Sequence, residues 1–203
     1  MSTLRLVLLR HGRSRADDEG VHEGSYDSPL TGVGRDQARR RAAEWREGGV
    51  TFDRVVASPL KRARETAEIV ADVLGLTVET ADEWRERDNG LLAALPFDEA
   101  EKRYPRPAFV HPFLPHGVTG ESEWEVTSRA AAGLSDLVRG GAGSTLVVAH
   151  GGILNAAMRV VTGAPTGPRD QGVAFAFGDL GYAEVRYRPD KHLWTLAAFS
   201  RGV

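Results

Sequence analysis

The 203-residue sequence contains no cysteine, carries a formal net charge of only −2 and has no long hydrophobic run. Without cysteine the chain cannot form disulfides, thiolate zinc sites or a cysteine nucleophile. Its nearly neutral charge gives no overall attraction to nucleic acid, so we expect no nucleic-acid partner. The N-terminal stretch Leu4 to Leu9 is too short to span a bilayer and lacks the features of a signal peptide. We therefore expect a cytoplasmic protein without a membrane partner.

The composition and length are those of an ordinary globular chain. Apolar residues make up 41% and charged residues 27% of the sequence, which is close to the average of soluble domains. A chain of this length can bury about 70% of its unfolded surface in one core. No internal repeat is visible, so we expect a single domain over residues 1–203.

Three short apolar runs predict a parallel sheet. They are LRLVLL (4–9), FDRVVA (52–57) and STLVVA (144–149), and a helix-compatible stretch follows each of them. Apolar strands that alternate with helices indicate a sheet covered on both faces. The predicted fold class is therefore α/β, with a three-layer α/β/α arrangement and a mostly parallel central sheet.

The C-terminal segment has a different pattern. VAFAF (173–177), YAEVRY (182–187) and LWTLAAF (193–199) alternate or run apolar, with RPDKH as a turn between the last two. They predict short strands at the edge of the sheet.

Helix boundaries are marked by capping residues. Thr31 is a candidate N-cap, and Ser58 with Pro59 predicts a second helix that ends at Gly75. Ser122 and Glu125 form a capping box at the start of a third helix. The apolar stripe predicted for that third helix consists of Trp124, Thr127, Ala131, Leu134 and Val138.

All three predicted parallel strands end in residues that can bind an anion. These ends are Arg10-His11-Gly12, Ser58 to Arg62, and His150-Gly151-Gly152. Ligands of open α/β sheets bind outside the carboxyl ends of the strands, so the three turns should converge. Helix N-termini and arginine both favour phosphate there, and a glycine after each histidine lets the backbone approach closely. The sequence therefore predicts a phosphate site.

Four ordered motifs carry a resemblance to a known family. RHG after the first strand, SPLT before a G-R-x-Q-A helix, ASPLKRARETA and VVAHGG resemble the histidine phosphatase superfamily, which includes cofactor-dependent phosphoglycerate mutase. The resemblance covers residues 4 to 160. It implies a phosphoglycerate mutase-like fold and phosphoryl transfer through a phosphorylated histidine.

The resemblance assigns catalytic roles that fit the chemistry of the residues. His11 would be the nucleophile, because a neutral imidazole nitrogen can attack phosphorus. Arg10, Arg62 and His150 would surround the phosphoryl oxygens and stabilise their charge. We then expect neither a metal nor another cofactor, and the expected partner is a small phosphorylated substrate.

The proton for the leaving group has three candidate donors, Glu83, Glu86 and Asp88. Glu86 is preferred because Trp84, Glu86 and Gly90 fit the family pattern L-x-E-x-x-x-G, with tryptophan in place of the usual aliphatic residue. Glu83 is the alternative, and all three could instead be solvated charges on a loop.

Five further residues are predicted to bind substrate: Ser14, Asp17, Glu23, Gly24 and Gly151. Asp17 stands where the family commonly has asparagine, and Glu23 where it usually has an uncharged residue. Carboxylates beside a phosphate pocket would repel it or have raised pKa values. We hypothesise that they disfavour highly acidic substrates or receive a cationic group, unless they point into solvent.

Residues 91–121 are predicted to form a lid or cap. Residues 104–117 contain four prolines, which excludes a regular helix. Four side chains of this loop could form an apolar wall over the substrate or pack rigidly on the domain: Phe109, His111, Phe113 and His116.

Three functions are compatible with these features. A metal-independent phosphomonoesterase is preferred, since 203 residues leave little room for the segments that close a mutase site against water. A phosphoglycerate-type mutase and a non-catalytic phospholigand-binding module are the alternatives. Phosphosugars, nucleotides, phosphoproteins and small organic phosphates all fit as substrates, and no pattern indicates an oligomeric state.

Overall fold

The structure is a computed structural model that describes residues 3–167 and 172–202. The strands of this part of the chain are β1 (Leu4–Arg10), β2 (Arg54–Ala57), β3 (Val78–Thr80), β4 (Gly143–Ala149), β5 (Tyr182–Arg188) and β6 (Leu193–Ser200). Its α-helices are α1 (Arg15–Glu19), α2 (Gly32–Glu47), α3 (Lys61–Leu74), α4 (Phe97–Arg103), α5 (Glu123–Arg139) and α6 (Gly151–Thr162).

The strands form one mixed sheet in the order β3-β2-β4-β1-β5-β6. The first four strands of that order are mutually parallel, whereas β5 runs antiparallel to β1 and β6 antiparallel to β5. The predicted α/β class with a mostly parallel sheet is confirmed.

Successive β1 side chains point to opposite faces of the sheet, and helices cover both faces. Leu6 and Leu8 pack in a core that includes α5 and α6, and Val7 and Leu9 pack in a second core that includes α2 and α3. These two cores give the three layers.

The C-terminal prediction is correct for β5 and β6 but wrong for residues 173–177, which are irregular. The Asn155 side chain donates from Nδ2 to the Phe175 carbonyl at 2.9 Å and accepts from the Phe175 amide at 2.7 Å. A side chain of α6 therefore satisfies the backbone that a neighbouring strand would otherwise pair.

The helix starts are confirmed at Thr31 and at the Ser122–Glu125 capping box. The predicted N-cap at Ser58 is wrong, since α3 begins at Lys61 after an extended Leu60. The Ser58 hydroxyl is instead hydrogen-bonded to His150 at 2.8 Å. The predicted end at Gly75 is confirmed, and this glycine adopts a left-handed φ of 71°.

The predicted stripe of α5 has the wrong phase. Trp124 is 49% exposed, and only Leu134 of the predicted set is buried. The indole of Trp84 packs on Gly133, where a β-carbon would lie 3.1 Å from the ring. Small and aliphatic side chains on that side of the helix form the buried face, namely Val126, Ala130, Gly133, Leu134 and Leu137.

No helix in residues 3–167 or 172–202 combines the length and the apolar character needed to cross a membrane.

Candidate active site

The register of the sheet aligns the ends of three strands. Arg10 pairs with Ala149 across β1 and β4, and Ala57 pairs with Val148 across β2 and β4. The residues that follow these strands therefore lie side by side at one edge of the sheet.

The two predicted histidines meet at this edge. The ring centroids of His11 and His150 are 5.1 Å apart, and both side chains are buried. Residues separated by most of the chain thus form one cluster, as the convergence of strand ends predicts.

The geometry of His11 leaves one ring nitrogen available. Its Nδ1 lies 2.7 Å from the Gly12 carbonyl, and a carbonyl only accepts, so Nδ1 carries the proton in the neutral ring. The Nε2 lone pair then faces Arg62, whose Nε lies 3.3 Å away. Burial, with the Arg10 and Arg62 charges, lowers the pKa of His11 well below its ordinary value of 6.5. The imidazole is therefore neutral.

His150 is held through its Nε2, whereas the Gly12 carbonyl holds His11 through Nδ1. The Nε2 of His150 lies 2.8 Å from the Ser58 hydroxyl, while its Nδ1 is buried without a hydrogen-bond partner among the described residues. Burial, followed by the Arg62 charge, lowers the pKa of His150 well below 6.5. A bound anion would supply the missing partner of Nδ1.

The predicted arginines are both fixed by hydrogen bonds. Arg62 is fully buried and donates from Nη1 to the Tyr26 carbonyl at 3.0 Å and from Nη2 to the Gly24 carbonyl at 3.2 Å. Arg10 lies 3.2 Å from the Asp179 carboxylate. These contacts orient two guanidinium groups around the His11 ring.

Glu86 is the one of the three candidate acids that reaches the start of α6. Its carboxylate accepts from the amides of Gly152 at 2.9 Å and Ile153 at 3.1 Å. A β-carbon at residue 152 would collide with this carboxylate, so Gly152 is the glycine that the site requires, whereas Gly151 has open space around it. Asp88 instead accepts from Gly90 and Ser25, outside the cleft lining.

The predicted substrate-binding residues surround α1. Ser14 caps this helix in a capping box with Asp17, whose carboxylate lies 3.6 Å from Arg10. The Ser14 hydroxyl donates to Glu23 at 2.5 Å. Glu23 points inward with a side chain that is only 16% exposed, so it does not point into solvent.

A cleft of about 540 Å³ opens beside this cluster. Its lining includes the predicted Asp17, Glu23, Gly24, Glu86 and Gly151.

The predicted aromatic wall of this cleft is wrong. Phe109 and Phe113 are each 58% exposed and lie outside the cleft, which Phe97 and His22 line instead. The ring of His111 packs on Phe113, and Phe113 packs on the exposed Trp124 on the outer side of α5. These contacts hold the loop away from the cleft. A separate cavity of about 500 Å³ lies within the cap and has His116 in its wall.

Comparison with known proteins decides the family. The family model described as "Histidine phosphatase superfamily (branch 1)" matches residues 6–198. The chain belongs to the histidine phosphatase superfamily.

Several members of this superfamily are similar to the chain. It is 31% identical over 185 residues to the "Uncharacterized phosphatase PhoE" of Bacillus subtilis (strain 168), with 90% of this chain and 91% of the relative covered. It is 34% identical over 166 residues to the "Probable phosphoglycerate mutase GpmB" of Enterobacter sp. (strain 638), with 80% and 76% covered. A mycobacterial glucosyl-3-phosphoglycerate phosphatase, solved with VO3, has a TM-score of 0.81 at 26% identity, with 97% and 99% covered. The protein is accordingly a phosphatase- or mutase-like enzyme.

Sequence reasoning missed a residue that positions Glu86. Arg129 of α5 donates to the carbonyls of Arg85 at 2.6 Å and Glu86 at 3.3 Å, and it forms an ion pair with Glu121 at 2.6 Å. Glu121 precedes the extended N-cap of α5, whereas Arg129 lies inside this helix, so no helical spacing joins them and no sequence pattern indicated this contact.

Two more arginines of the cleft were also missed. Glu123 lies 2.8 Å from Arg87 and 3.4 Å from Arg159, and all three line the cleft beyond Glu86. They come from a loop, from α5 and from α6, so no local spacing joins them. Among residues 3–167 and 172–202, no group of three or more His, Cys, Asp or Glu residues has a metal-binding arrangement.

Proposed function

We propose that this protein is a metal-independent phosphomonoesterase that transfers a phosphoryl group first to His11 and then to water. The observation that carries the proposal is the neutral His11 ring, whose Nε2 lone pair faces the fixed Arg62 guanidinium at 3.3 Å. A neutral imidazole nitrogen is a nucleophile, and the arginine whose Nε donates to it supplies charge where the transferred group passes.

Arg10, Arg62 and His150 serve as ligands of the phosphoryl oxygens in this proposal. The two guanidinium groups are held by Asp179 and by backbone carbonyls, so they need no reorganisation during the reaction. The His150 Nδ1–H group donates to an oxygen while its Nε2 accepts from Ser58.

Glu86 moves the proton. It donates to the leaving-group oxygen in the first step and accepts a proton from the attacking water in the second. Its position in the cleft lining supports this role, and the amides of Gly152 and Ile153 stabilise the ionised form that accepts the proton from water. Arg129 acts on the reaction only by holding the Glu86 backbone.

Substrate selection is assigned to the cleft and its cap. We propose that Ser14, Asp17, Gly24 and Gly151 border the bound substrate and that residues 91–121 act as a lid over it. The lid is joined to the site by hydrogen bonds from Ala94 to the His22 carbonyl at 2.8 Å and from Phe97 to the Gly20 carbonyl at 3.1 Å. The mycobacterial relative named above acts on a phosphoglycerate derivative, which supports a small organic phosphate as the substrate class.

Release of phosphate from an aryl ester tests the proposal. We expect hydrolysis that resists metal chelators and is abolished by His11→Ala. His192→Ala is the matched control. His192 lies in the β5–β6 turn, where it is hydrogen-bonded to Tyr187 of β5, and its replacement leaves the site unchanged. Phosphate release that survives in His11→Ala, or that chelators abolish, would contradict the proposal.

A phosphoglycerate-type mutase is the second candidate, since relatives named as probable phosphoglycerate mutases are 34% identical to the chain. A mutase returns the phosphoryl group to an acceptor and depends on a bisphosphorylated activator. Free phosphate formed without activator supports the phosphatase, whereas phosphoglycerate isomerisation that needs the activator supports the mutase. A phospholigand-binding module would bind phosphate and show neither activity.

A further inference from the structure

The Glu23 carboxylate lies at the position that the proposed function gives to the phosphoryl group. Its Oε2 is 3.3 Å from Arg62 Nε and 3.7 Å from His11 Nε2. Its Oε1 accepts from the Ser14 hydroxyl at 2.5 Å. Because Glu23 also lines the cleft and the His11 ring is only 1% exposed, this side chain covers the nucleophile from the cleft side.

The backbone on both sides of Glu23 is fixed. The His22 amide donates to the Leu95 carbonyl at 2.9 Å, and the Gly24 carbonyl accepts from Arg62. Gly24 has a left-handed φ of 64°, and a β-carbon there would lie 2.8 Å from the Arg87 carbonyl. The Cα atom of Glu23 therefore remains beside the phosphoryl site, and the carboxyl group can leave it only by rotation of the side chain.

An ionised Glu23 next to a phosphate dianion would be strongly repelled, because like charges in contact disfavour the charged state of both groups. The groups that face Glu23 come from three elements, with Arg10 and His11 at the end of β1, Ser14 and Asp17 in α1, and Arg62 in α3. The two guanidinium charges are needed by the phosphate itself. Repulsion of the carboxylate is then best relieved by a proton.

The environment of Glu23 makes protonation of its carboxylate easier than in water, because it raises the pKa of Glu23 above its ordinary value. Burial is the largest influence on the pKa of Glu23 and raises it. The Arg62 charge and the Ser14 hydrogen bond lower that pKa, Asp17 raises it, and Arg10 lowers it again. The pKa is raised in total, even before an anion binds.

We propose that Glu23 binds the substrate phosphate as a neutral carboxylic acid that donates a hydrogen bond to a phosphoryl oxygen, so that binding takes up one proton. The inference rests on the proposed function, because it needs phosphate at His11. The proton comes from solvent when a dianion binds, or it arrives on the phosphate when a monoanion binds to the carboxylate. Both routes give the same complex with one shared proton.

Affinity for phosphate must then depend on pH in a way that Glu23 controls. Where Glu23 and phosphate are both ionised before binding, uptake of one proton weakens binding about tenfold for each unit that the pH rises. A glutamine at this position is isosteric and donates a hydrogen bond from its amide without taking up a proton from solvent. It therefore removes the dependence of phosphate affinity on pH. Repulsion of polyanionic substrates by Glu23 should also grow as the pH rises.

Isothermal titration calorimetry with inorganic phosphate tests the inference. Titrations at about pH 8 in buffers of different ionisation enthalpy give the number of protons taken up. The wild-type protein should take up about one proton more than Glu23→Gln. Glu19→Gln is the matched control, because it removes an exposed carboxylate of α1 that pairs with Arg15 and lies outside the cleft lining, and it should keep the wild-type uptake.

Three results would overturn the inference. Equal proton uptake by the wild type and Glu23→Gln would show that Glu23 rotates away as a carboxylate. Loss of the extra proton in Glu19→Gln would show that the uptake does not belong to Glu23. Absence of phosphate binding in the folded wild type would overturn the proposed function as well, whereas the first two results leave the proposed function intact. If Glu23→Gln does not fold, wild-type uptake of less than about half a proton at about pH 8 contradicts the inference alone.

Discussion

The floor of the cleft and its cap are built from different kinds of structure. The floor is the buried cluster of His11, Arg62 and His150, which lies behind the cleft lining and follows three paired parallel strands or starts the adjacent helices. The cap, residues 91–121, contains the seven-residue α4 and a proline-rich loop in which Phe109 and Phe113 are each 58% exposed. In the proposed function, the sheet fixes the groups that react, while loops surround the part of the substrate that differs between substrates.

The difference implies a separation of chemistry from selectivity. Groups on the floor have partners on several elements, so their geometry tolerates little change. Backbone hydrogen bonds such as the one from Ala94 to the His22 carbonyl join the cap to the loop that follows α1. Changes in the floor should reduce every activity, and changes in the cap should redistribute activity among substrates.

Removal of the buried guanidinium should have the largest effect. We expect Arg62→Ala to reduce kcat/KM by about 10³-fold for all substrates, because the transferred group loses its fixed charge. Arg62→Lys should recover little, since an ammonium cannot reproduce the planar set of donors to Gly24 and Tyr26. Steady-state kinetics measures both, with Arg103→Ala in the cap as the control. Comparable losses in Arg62→Ala and Arg103→Ala would remove the distinction between floor and cap.

Replacement of the proton donor should have the next largest effect, and it should depend on the leaving group. We expect Glu86→Gln to slow hydrolysis of alkyl phosphates by about 10²-fold and of activated aryl phosphates much less, because only poor leaving groups need the proton. Glu83→Gln, in the same segment, should show no such dependence. Equal losses of Glu86→Gln on both substrate classes would exclude Glu86 as the acid.

The neutral histidines of the floor should make stability depend on pH. Burial lowers the pKa of both His11 and His150 below 6.5, so the unfolded chain binds more protons than the folded protein once the pH falls below that value. Their contribution to stability is therefore complete above about pH 6.5 and is lost on acidification, by about 1.4 kcal/mol per histidine and pH unit. Urea unfolding at several pH values should show this slope, and His150→Gln should reduce it by one histidine's share. An unchanged slope in His150→Gln would mean that this ring is not held neutral.

Replacement of the cap side chain that lines the cleft should have the smallest effect on the chemical step. Phe97→Ala should change kcat for a minimal aryl phosphate by no more than about threefold while it alters preference among larger substrates. A substrate panel with both proteins measures this. Unchanged preference would show that the cap has no role in selection through Phe97.

The sequence predicted the floor well because each of its parts has a local signal. An apolar strand followed by RHG or AHGG marks a strand end, and parallel strands bring such ends together regardless of their separation along the chain. The capping box at Ser122 was equally local. The central sheet and the cluster of histidines and arginines at its strand ends could therefore be derived before any coordinates.

The parts that sequence reasoning missed depend on contacts between distant elements. Ser58 looks like an N-cap, but its hydroxyl bonds to His150, which lies 92 residues further along the chain. The phase of α5 follows from Trp84 packing on Gly133, and neither residue signals the other. The inward direction of Glu23 depends on the fold of the loop between α1 and α2. None of these long-range contacts can be predicted from a local sequence pattern.

Trapping the phosphorylated enzyme is the most direct test of phosphoryl transfer through His11. The wild-type protein should be mixed with a labelled aryl phosphate, quenched within a single turnover and analysed by peptide mapping under conditions that preserve phosphohistidine. We expect label on His11 in the wild type and none in His11→Ala. Label on His150 or another residue, or label that remains in His11→Ala, would contradict phosphoryl transfer through His11.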